Sequence, residues 1–267
     1  KGKKVLDDFS LKAPDGVILA LLGEDKEGKS TLLKAASGGE KPETGDIYID
    51  GISIYETGEN AYCNFGYMSK EYGFYSLLKV EEYYELFLAL YKVGGRYRSR
   101  RIEEVLELLD MKEYEGAFIG ELPAETLPFL YLGKAILQEP EWLLMDEPTN
   151  GLDIPSKATF RQVVAKNLSD DTTLIISTHQ VHDVEQLIDH VVILDQSRLL
   201  CDASVGEITQ RYSFETRQAN EMSNDVLYAE PSLQGNNVIV PHAANEPETQ
   251  LNLEMFFSAV TLGKIQM

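Results

Sequence analysis

Clustered cysteines, clustered histidines and an excess of basic residues are all missing from this sequence. Its 267 residues include two cysteines, Cys63 and Cys201, and four histidines, without the spacing of a metal site or a disulfide framework. We therefore expect no structural zinc site, and so few cysteines fit a reducing compartment. The formal net charge of −20 argues against nucleic acid as a partner, because an extended nucleic-acid surface needs clustered Lys and Arg.

Long apolar runs are missing as well. The longest run near the start, residues 17–22, is far shorter than the roughly 20 residues that a membrane-spanning helix needs. The opening Lys-Gly-Lys-Lys is followed by Asp7 and Asp8, where a signal peptide would have an apolar stretch. We therefore expect a cytoplasmic chain. One local basic cluster, interpreted as the solvated start of a helix, consists of Arg96, Arg98, Arg100 and Arg101.

Short apolar strands alternate with helical segments along most of the chain. Buried strands are predicted at residues 17–22, 142–145, 173–176 and 191–194. A helix is predicted from about Lys29 to Ala36, and a hairpin at residues 44–51, where Asp50-Gly51 is typical of a turn. This alternation predicts an α/β fold with a mostly parallel sheet covered by helices on both faces.

Two further regions are interpreted from their periodicity. From about Ser76 the apolar residues recur at spacings of three and four, which predicts two amphipathic helices. The residues that carry this pattern are Leu86, Leu90, Ile102, Val105, Leu106 and Leu109. After Arg211 the chain is polar and irregular until Leu251, apart from a strand-like stretch at 237–240. We interpret this tail as a small C-terminal appendage.

A glycine-containing segment between the first predicted strand and the first predicted helix satisfies the phosphate-loop pattern G-x-x-x-x-G-K-S. The loop residues are Gly23, Glu24, Asp25, Lys26, Glu27, Gly28, Lys29, Ser30 and Thr31. Backbone amides and the helix N-terminus would hold the phosphates of a nucleotide. Lys29 would neutralise the β- and γ-phosphates, and Ser30 would ligate Mg²⁺. An ordinary turn before a helix is the alternative interpretation.

Two other predicted strands end in residues suited to nucleotide hydrolysis. One runs into Asp146, which would hold the water shell of Mg²⁺, and the adjacent Glu147 could orient or deprotonate the attacking water. Another runs into His179, whose imidazole could reach a γ-phosphate. Taken singly, an acidic strand terminus and a structural histidine explain these residues. Three such strand ends together favour a nucleotide site at the carboxyl edge of the sheet.

These motifs resemble those of the ABC transporter ATPase family, and the resemblance extends from about Val5 to Gln210. The matching segments are residues 23–31 (Walker A), 142–146 (Walker B), Glu147 (catalytic glutamate), 150–153 (D-loop) and His179 (switch histidine). The string Leu-Met-Asp-Glu-Pro-Thr-Asn-Gly-Leu-Asp at residues 144–153 is highly specific for the family.

The resemblance implies an ATPase domain at residues 1–212 with an antiparallel β arm. Its RecA-like core would span about 1–75 and 138–212, its helical subdomain about 76–137, and the appendage 213–267. It also implies ATP and Mg²⁺ as cofactors, head-to-tail dimers that enclose two ATP molecules, a membrane-spanning permease subunit as partner, and a peripheral position of this chain on the cytoplasmic face of the membrane. Residues 253–257 resemble the tail of exporter ATPases, although an amphipathic C-terminal helix explains them almost as well.

Two of the matched loops depart from the family pattern. Residues 24–27 are Glu-Asp-Lys-Glu where the family has Pro-Asn-Gly-Ala, and each carboxylate near a polyphosphate should weaken binding by about 1 kcal/mol. Lys26 also replaces a glycine, which reduces backbone freedom. Lys70 stands where the family has the Q-loop glutamine, and an ammonium group cannot ligate Mg²⁺ as an amide oxygen can.

The largest departure is in the signature segment, defined here as residues 122–126. It reads Leu-Pro-Ala-Glu-Thr where the family has L-S-G-G-Q, which contacts the γ-phosphate held by the opposite subunit. Pro123 offers neither a hydroxyl nor an N–H group, Glu125 adds a carboxylate, and Pro128 alters the helix start. A homodimer should therefore hydrolyse ATP slowly, whereas a heterodimer with an intact partner would have one competent site.

The expected function is ATP binding and hydrolysis that drives export through a separate membrane subunit. A regulatory or structural nucleotide-binding subunit with negligible hydrolysis is the alternative, favoured by the signature segment and Lys70. A soluble ABC ATPase of translation or DNA repair is less well supported, because such proteins usually have tandem ATPase domains or basic surfaces.

Overall fold

The computed structural model describes residues 5–6, 9–49, 51–56, 65–70, 73, 75–167, 171–243, 245 and 247–267. Asp50 of the predicted turn and Cys63 lie outside the described residues. Contacts divide the chain into two units. The first comprises Lys1–Ala13, Val17–Lys29 and Thr178–Met267, and the second comprises Pro14–Gly16 and Ser30–Ser177. The domain bounds expected from the family stay a prediction.

Strands and helices alternate along most of the chain, as the sequence predicts. In chain order they are β1 (Ile18–Leu22), α1 (Lys29–Ala36), β2 (Tyr48–Ile49), β3 (Ile52–Ser53), β4 (Phe65–Met68), α2 (Val80–Leu90), α3 (Gly95–Leu108), α4 (Leu127–Ile136), β5 (Trp142–Asp146), α5 (Ile154–Asn167), β6 (Thr173–Thr178), β7 (His190–Asp195), β8 (Arg198–Ser204), α6 (Val205–Arg211), β9 (Tyr212–Arg217), β10 (Tyr228–Ser232), β11 (Gly235–Pro241) and α7 (Leu253–Thr261). The fold is therefore of the α/β class. No helix in the described part of the chain combines the length and the apolar character needed to cross a bilayer.

In the first unit, β1 pairs in parallel with β7, and β8 is antiparallel to β7. The register aligns Leu22 with Ile193, and the central residues of both strands are fully buried. This burial explains their continuous aliphatic sequences, because a strand covered on both faces needs apolar side chains on both. Asp195 pairs with Arg198, so a two-residue turn joins β7 to β8.

The segment after Arg211 is more regular than predicted. Instead of an irregular stretch, β9, β10 and β11 form an antiparallel sheet with β11 in the centre. The strand predicted at 237–240 is confirmed within β11, where three consecutive aliphatic residues are buried. The prediction was wrong for β9 and β10 because these edge strands are mostly polar, which hides the alternation that marks a strand.

The tail ends in α7, whose first turn is capped by two side chains. Glu185 Oε1 accepts a hydrogen bond of 2.8 Å from the backbone N–H of Leu253. The side chain of Asn252 accepts another, of 3.0 Å, from the N–H of Met255. These bonds satisfy amides that have no partner inside the helix, so α7 is anchored to the segment that follows β6.

In the second unit, β4, β5 and β6 run parallel to one another, with β5 in the centre. The register aligns Asp146 with Ser177 at the ends of β5 and β6. Because the carboxyl ends of parallel strands meet at one edge of a sheet, polar residues there lie together. The pairing of β5 with β6 thus brings Asp146 and Ser177, which are 31 positions apart, to the same edge of the sheet.

The helical part of the second unit contains α2, α3 and α4. The buried side chains of α2 are Val80, Tyr83, Tyr84 and Leu88. Leu86 and Leu90, which the sequence assigned to the apolar face, are 38 % and 62 % exposed, so that assignment was wrong. Tyrosines take their place because a polar tip can be satisfied inside the fold. The hydroxyl of Tyr84, for example, donates to the carbonyl oxygen of Leu130 at 3.1 Å.

Two arginines of the basic cluster have partners within the fold. Arg98 pairs with Glu85 at 2.9 Å. Arg101 donates to the carbonyl oxygens of Ile136 at 2.7 Å and Leu137 at 2.9 Å, at the end of α4. A cation at a helix C-terminus complements the helix dipole. Both arginines therefore have structural roles on α3.

Candidate functional site

The phosphate loop connects β1 to α1, and two of its glycines are sterically required. Gly28 has a φ of +101°, and a Cβ atom there would lie 2.9 Å from Leu6 Cδ2 and 3.1 Å from Val5 O. A Cβ atom on Gly23 would lie 2.7 Å from the carbonyl oxygen of Leu194. Side chains have no room at these positions, so the backbone itself forms the surface of the loop.

Lys29 begins α1, as predicted, and its ammonium group is directed at the loop. The residue is 5 % exposed. Its Nζ donates to the carbonyl oxygens of Gly23 at 2.5 Å and Glu24 at 2.9 Å. A lysine held by two backbone carbonyl oxygens is suited to bind phosphate oxygens, which can replace the carbonyl oxygens as acceptors. Ser30 and Thr31 follow on α1 and are half-buried.

The four unusual loop residues have different surroundings. Glu24, Asp25 and Lys26 are exposed, whereas Glu27 is half-buried. Lys26 has a φ of +72°, a left-handed conformation that costs roughly 1 kcal/mol in a residue with a Cβ atom. Glu27 Oε2 accepts a hydrogen bond of 3.0 Å from the backbone N–H of Ser197. The expected weakening of ATP binding by these residues stays a prediction.

Asp146 is held at the end of β5 by a residue that the sequence reading missed. Asp146 is 1 % exposed and Ser177 is fully buried. The Ser177 hydroxyl donates to Asp146 Oδ1 at 2.6 Å, a short distance typical of a hydroxyl bonded to a carboxylate. The only signal in the sequence is that Ser177 lies near the end of β6, the strand that follows β5 along the chain.

Glu147 follows Asp146 and is 4 % exposed. Its backbone N–H donates to the carbonyl oxygen of Ser177 at 3.0 Å. Its φ of +48° lies in the left-handed region, which is strained for a residue other than glycine and often marks functional positions. The structure therefore brings together Asp146, Glu147 and Ser177, an arrangement of oxygen ligands and a potential base that suits hydrated Mg²⁺ and water activation.

The predicted D-loop, residues 150–153, follows directly. The N–H of Asn150 donates to the carbonyl oxygen of Glu147 at 3.1 Å, and Gly151 has a φ of +83°. Asp153 Oδ1 accepts a 2.9 Å bond from the N–H of Ser156 in the first turn of α5. Hydrogen bonds from Ser156 lower the pKa of the Asp153 carboxyl. These bonds connect the segment after Glu147 to a helix start.

His179 is in the first unit, directly after β6, and is exposed. The adjacent N–H of Gln180 donates to the Thr178 hydroxyl at 2.9 Å, which fixes the backbone as it leaves the strand. The role of His179 as the switch histidine stays a prediction. Lys70, two residues beyond β4, is also exposed.

The signature segment forms a short 3-10 turn at Ala124–Thr126 ahead of α4. Pro123 and Glu125 are exposed. The backbone N–H and the hydroxyl of Thr126 both donate to the carbonyl oxygen of Pro123, at 3.0 and 2.7 Å. Pro128 is in the first turn of α4, where a missing N–H costs no helical bond. The loss of phosphate contacts expected for this segment stays a prediction.

Comparisons with known proteins agree with these motifs. The family model described as ABC transporter matches residues 6–150. The chain is similar to the bacitracin transport ATP-binding protein BcrA of Bacillus licheniformis, with 30 % identity over 78 % of this chain and 68 % of that protein. It is also similar to the methionine import ATP-binding protein MetN of Latilactobacillus sakei subsp. sakei (strain 23K), with 29 % identity over 97 % of this chain and 72 % of that protein.

A solved structure gives the same result. It is the ATP-binding subunit of an ABC transporter, and it matches with a TM-score of 0.69 and 25 % sequence identity. The match covers 76 % of this chain and 85 % of the solved chain.

Proposed function

Because the chain belongs to the family of ABC transporter ATP-binding proteins, we propose that it binds ATP with Mg²⁺ and hydrolyses it to drive export through a separate membrane subunit. Family membership makes it an ABC ATPase. The observation that best supports hydrolysis by this chain is the buried arrangement of Asp146 and Glu147 on Ser177. A chain without turnover would not need a potential base buried in a strained conformation.

The residues of the predicted site have the chemistry needed to bind ATP and Mg²⁺. Gly28 has no room for a side chain, so backbone amides can approach a polyphosphate closely. Lys29 would bind the phosphates, and Ser30 and Asp146 would hold Mg²⁺ directly or through water. Glu147 would orient or deprotonate the attacking water, and His179 would contact the γ-phosphate. When bound, Mg²⁺ neutralises charge that develops on the phosphates.

Export is supported by the tail. Residues 253–257, which resemble exporter tails, form the first turns of α7. One similar protein is named for bacitracin transport and another for methionine import, so the relatives' names are compatible with either direction. The proposed site of action is the cytoplasmic face of the membrane, where a permease subunit would receive the ATP-driven movement.

A heterodimer explains the altered signature segment. The exposed Pro123 and Glu125 would face the nucleotide of the opposite subunit, where they supply no phosphate donor. This chain's own Lys29, Asp146, Glu147 and His179 would form one competent site with a partner ATPase that carries L-S-G-G-Q. A purified homodimer that hydrolyses ATP at about 1 s⁻¹ or faster, the lower end of typical enzyme rates, would argue strongly against this assembly.

The second candidate is a regulatory or structural nucleotide-binding subunit with negligible hydrolysis. It is favoured by the same signature segment and by Lys70 in the Q-loop position. The buried Glu147 argues against it, because a purely structural subunit has no use for a base beside the proposed Mg²⁺ ligand.

Calorimetric titration of the chain with Mg-ATP tests the proposal. We expect micromolar binding, roughly −8 kcal/mol, that is lost in Lys29→Ala because the variant lacks the ammonium group. The matched control is Lys34→Ala, which removes a lysine further along the same helix and should bind ATP like the unmodified chain. If the unmodified chain shows no binding at millimolar ATP, the proposal fails.

A further inference from the structure

We infer that Glu27 is a positioning residue that ties the phosphate loop to the turn between β7 and β8, rather than a charge that repels phosphate. The predicted effect of Glu27 on ATP binding rests on the proposed function, whereas its contact with the turn does not. The contact itself is a hydrogen bond of 3.0 Å from the Ser197 N–H to Glu27 Oε2, across 170 positions of sequence. Both residues are half-buried.

The turn presents a donor that needs an acceptor. Gln196 and Ser197, its two central residues, have φ values of +46° and +65°, the pattern of a type I′ hairpin turn. In such a turn the internal hydrogen bond joins the first and fourth residues. The N–H of Ser197 is therefore directed outward, and a backbone donor that is partly removed from water must find a partner. Glu27 provides it.

A second contact connects the same loop to the same strand. Gly23 lies so close to Leu194 that a Cβ atom would be 2.7 Å from the Leu194 carbonyl oxygen. The loop thus contacts the end of β7 at its first residue and the following turn at its fifth. Both contacts are within the first unit, and together they fix the ends of the segment that contains the exposed residues.

Lys26, which lies between these contacts, explains why the loop needs the hydrogen bond at Glu27. Lys26 is held at a φ of +72°, a conformation that L-residues adopt only where the surroundings stabilise it. Without the bond at Glu27, the loop would gain access to less strained conformations in which its amides no longer converge. The Lys29 ammonium, bonded to the carbonyl oxygens of Gly23 and Glu24, depends on the same loop shape.

Two substitutions of Glu27 distinguish the effect of its hydrogen bond from the effect of its charge. Glu27→Gln keeps a carbonyl acceptor but removes the charge, whereas Glu27→Ala removes both. If Glu27 positions the loop, the Kd for Mg-ATP should stay within about twofold in Glu27→Gln and rise about fivefold in Glu27→Ala, which corresponds to about 1 kcal/mol. If Glu27 repels phosphate, both variants should instead bind ATP about fivefold more tightly. That second result would overturn the inference.

Glu40→Ala is the matched control, because it removes an exposed carboxylate that lies outside the phosphate loop. It should bind ATP like the unmodified chain, which shows that the loss of one carboxylate does not by itself weaken binding. Equal weakening in Glu40→Ala and Glu27→Ala would contradict a specific role for Glu27.

Amide exchange of Ser197, followed by NMR in the absence of nucleotide, tests the tie independently of ATP. We expect exchange to be several-fold faster in Glu27→Ala and nearly unchanged in Glu27→Gln. An unchanged rate in Glu27→Ala would overturn the inference whatever the binding data show. If the unmodified chain binds no ATP, the proposed function fails, and the exchange rates still decide whether Glu27 ties the loop to the turn.

Discussion

The end of β5 and the signature segment belong to the same unit but differ in how the fold holds them. Asp146 and Glu147 are 1 % and 4 % exposed and bond to Ser177 on the neighbouring strand. Pro123 and Glu125 are exposed, and the bonds of Thr126 are to Pro123, three residues away. Asp146 and Glu147, proposed for this chain's own nucleotide, are thus part of the core. Pro123 and Glu125, proposed to face the nucleotide of the opposite subunit, lie on the surface, where sequence can change at little cost to stability.

The strongest test of this comparison changes one carboxylate in each region. In the assembly that hydrolyses ATP, Glu147→Gln should lower kcat at least about 100-fold, because an amide cannot accept the proton of the attacking water. ATP binding, measured by calorimetry, should be retained. Phosphate release gives the rate.

Glu125→Gln is the corresponding change in the signature segment. It should alter the rate by less than about fivefold, because a single solvent-exposed charge has a weak effect. A loss as large as that of Glu147→Gln would show that the surface segment also carries catalysis, and the distinction between the two regions would fail.

A smaller effect is expected when one hydroxyl is removed from each region. Ser177→Ala leaves the buried Asp146 carboxylate without its 2.6 Å donor, and the free energy of unfolding should fall by about 1.5–3 kcal/mol, the usual value for a bond to a charged group. Thr126→Val removes a hydroxyl that bonds to Pro123 near the surface and should cost less than about 1 kcal/mol. Urea unfolding with unchanged m-values measures both. Similar losses of unfolding free energy in the two variants would show that the difference in burial does not determine how much each hydroxyl stabilises the fold.

The sequence predicted the elements that carry the candidate site, but it did not predict the contacts that hold the site residues in place. Local patterns were sufficient for α1, because a buried strand, a phosphate-loop motif and a helical run occur in immediate succession. The ends of β5 and β6 followed from short aliphatic runs. Ser177 was missed because its bond to Asp146 joins residues 31 positions apart, and a serine at a strand end has no distinctive pattern.

Contacts across the chain also explain the other errors. The inner face of α2 is built from Tyr83 and Tyr84 as well as aliphatic residues, so a search for leucines selected the wrong face. The bond between Glu27 and Ser197 joins a loop to a turn 170 residues later. From sequence alone, Glu27 could be interpreted only as an unfavourable charge.

The smallest effect on stability is expected from rebuilding the signature segment. Pro123→Ser combined with Glu125→Gly changes exposed residues, so the free energy of unfolding should shift by less than about 1 kcal/mol. If this segment limits the homodimer, the added hydroxyl should raise its ATP hydrolysis about fivefold, the equivalent of one neutral hydrogen bond of about 1 kcal/mol. Glu121→Gly, which removes another exposed carboxylate just before the segment, should leave the rate unchanged. A rise in both variants would assign the effect to net charge, and a rise in neither would show that the surface segment does not limit turnover.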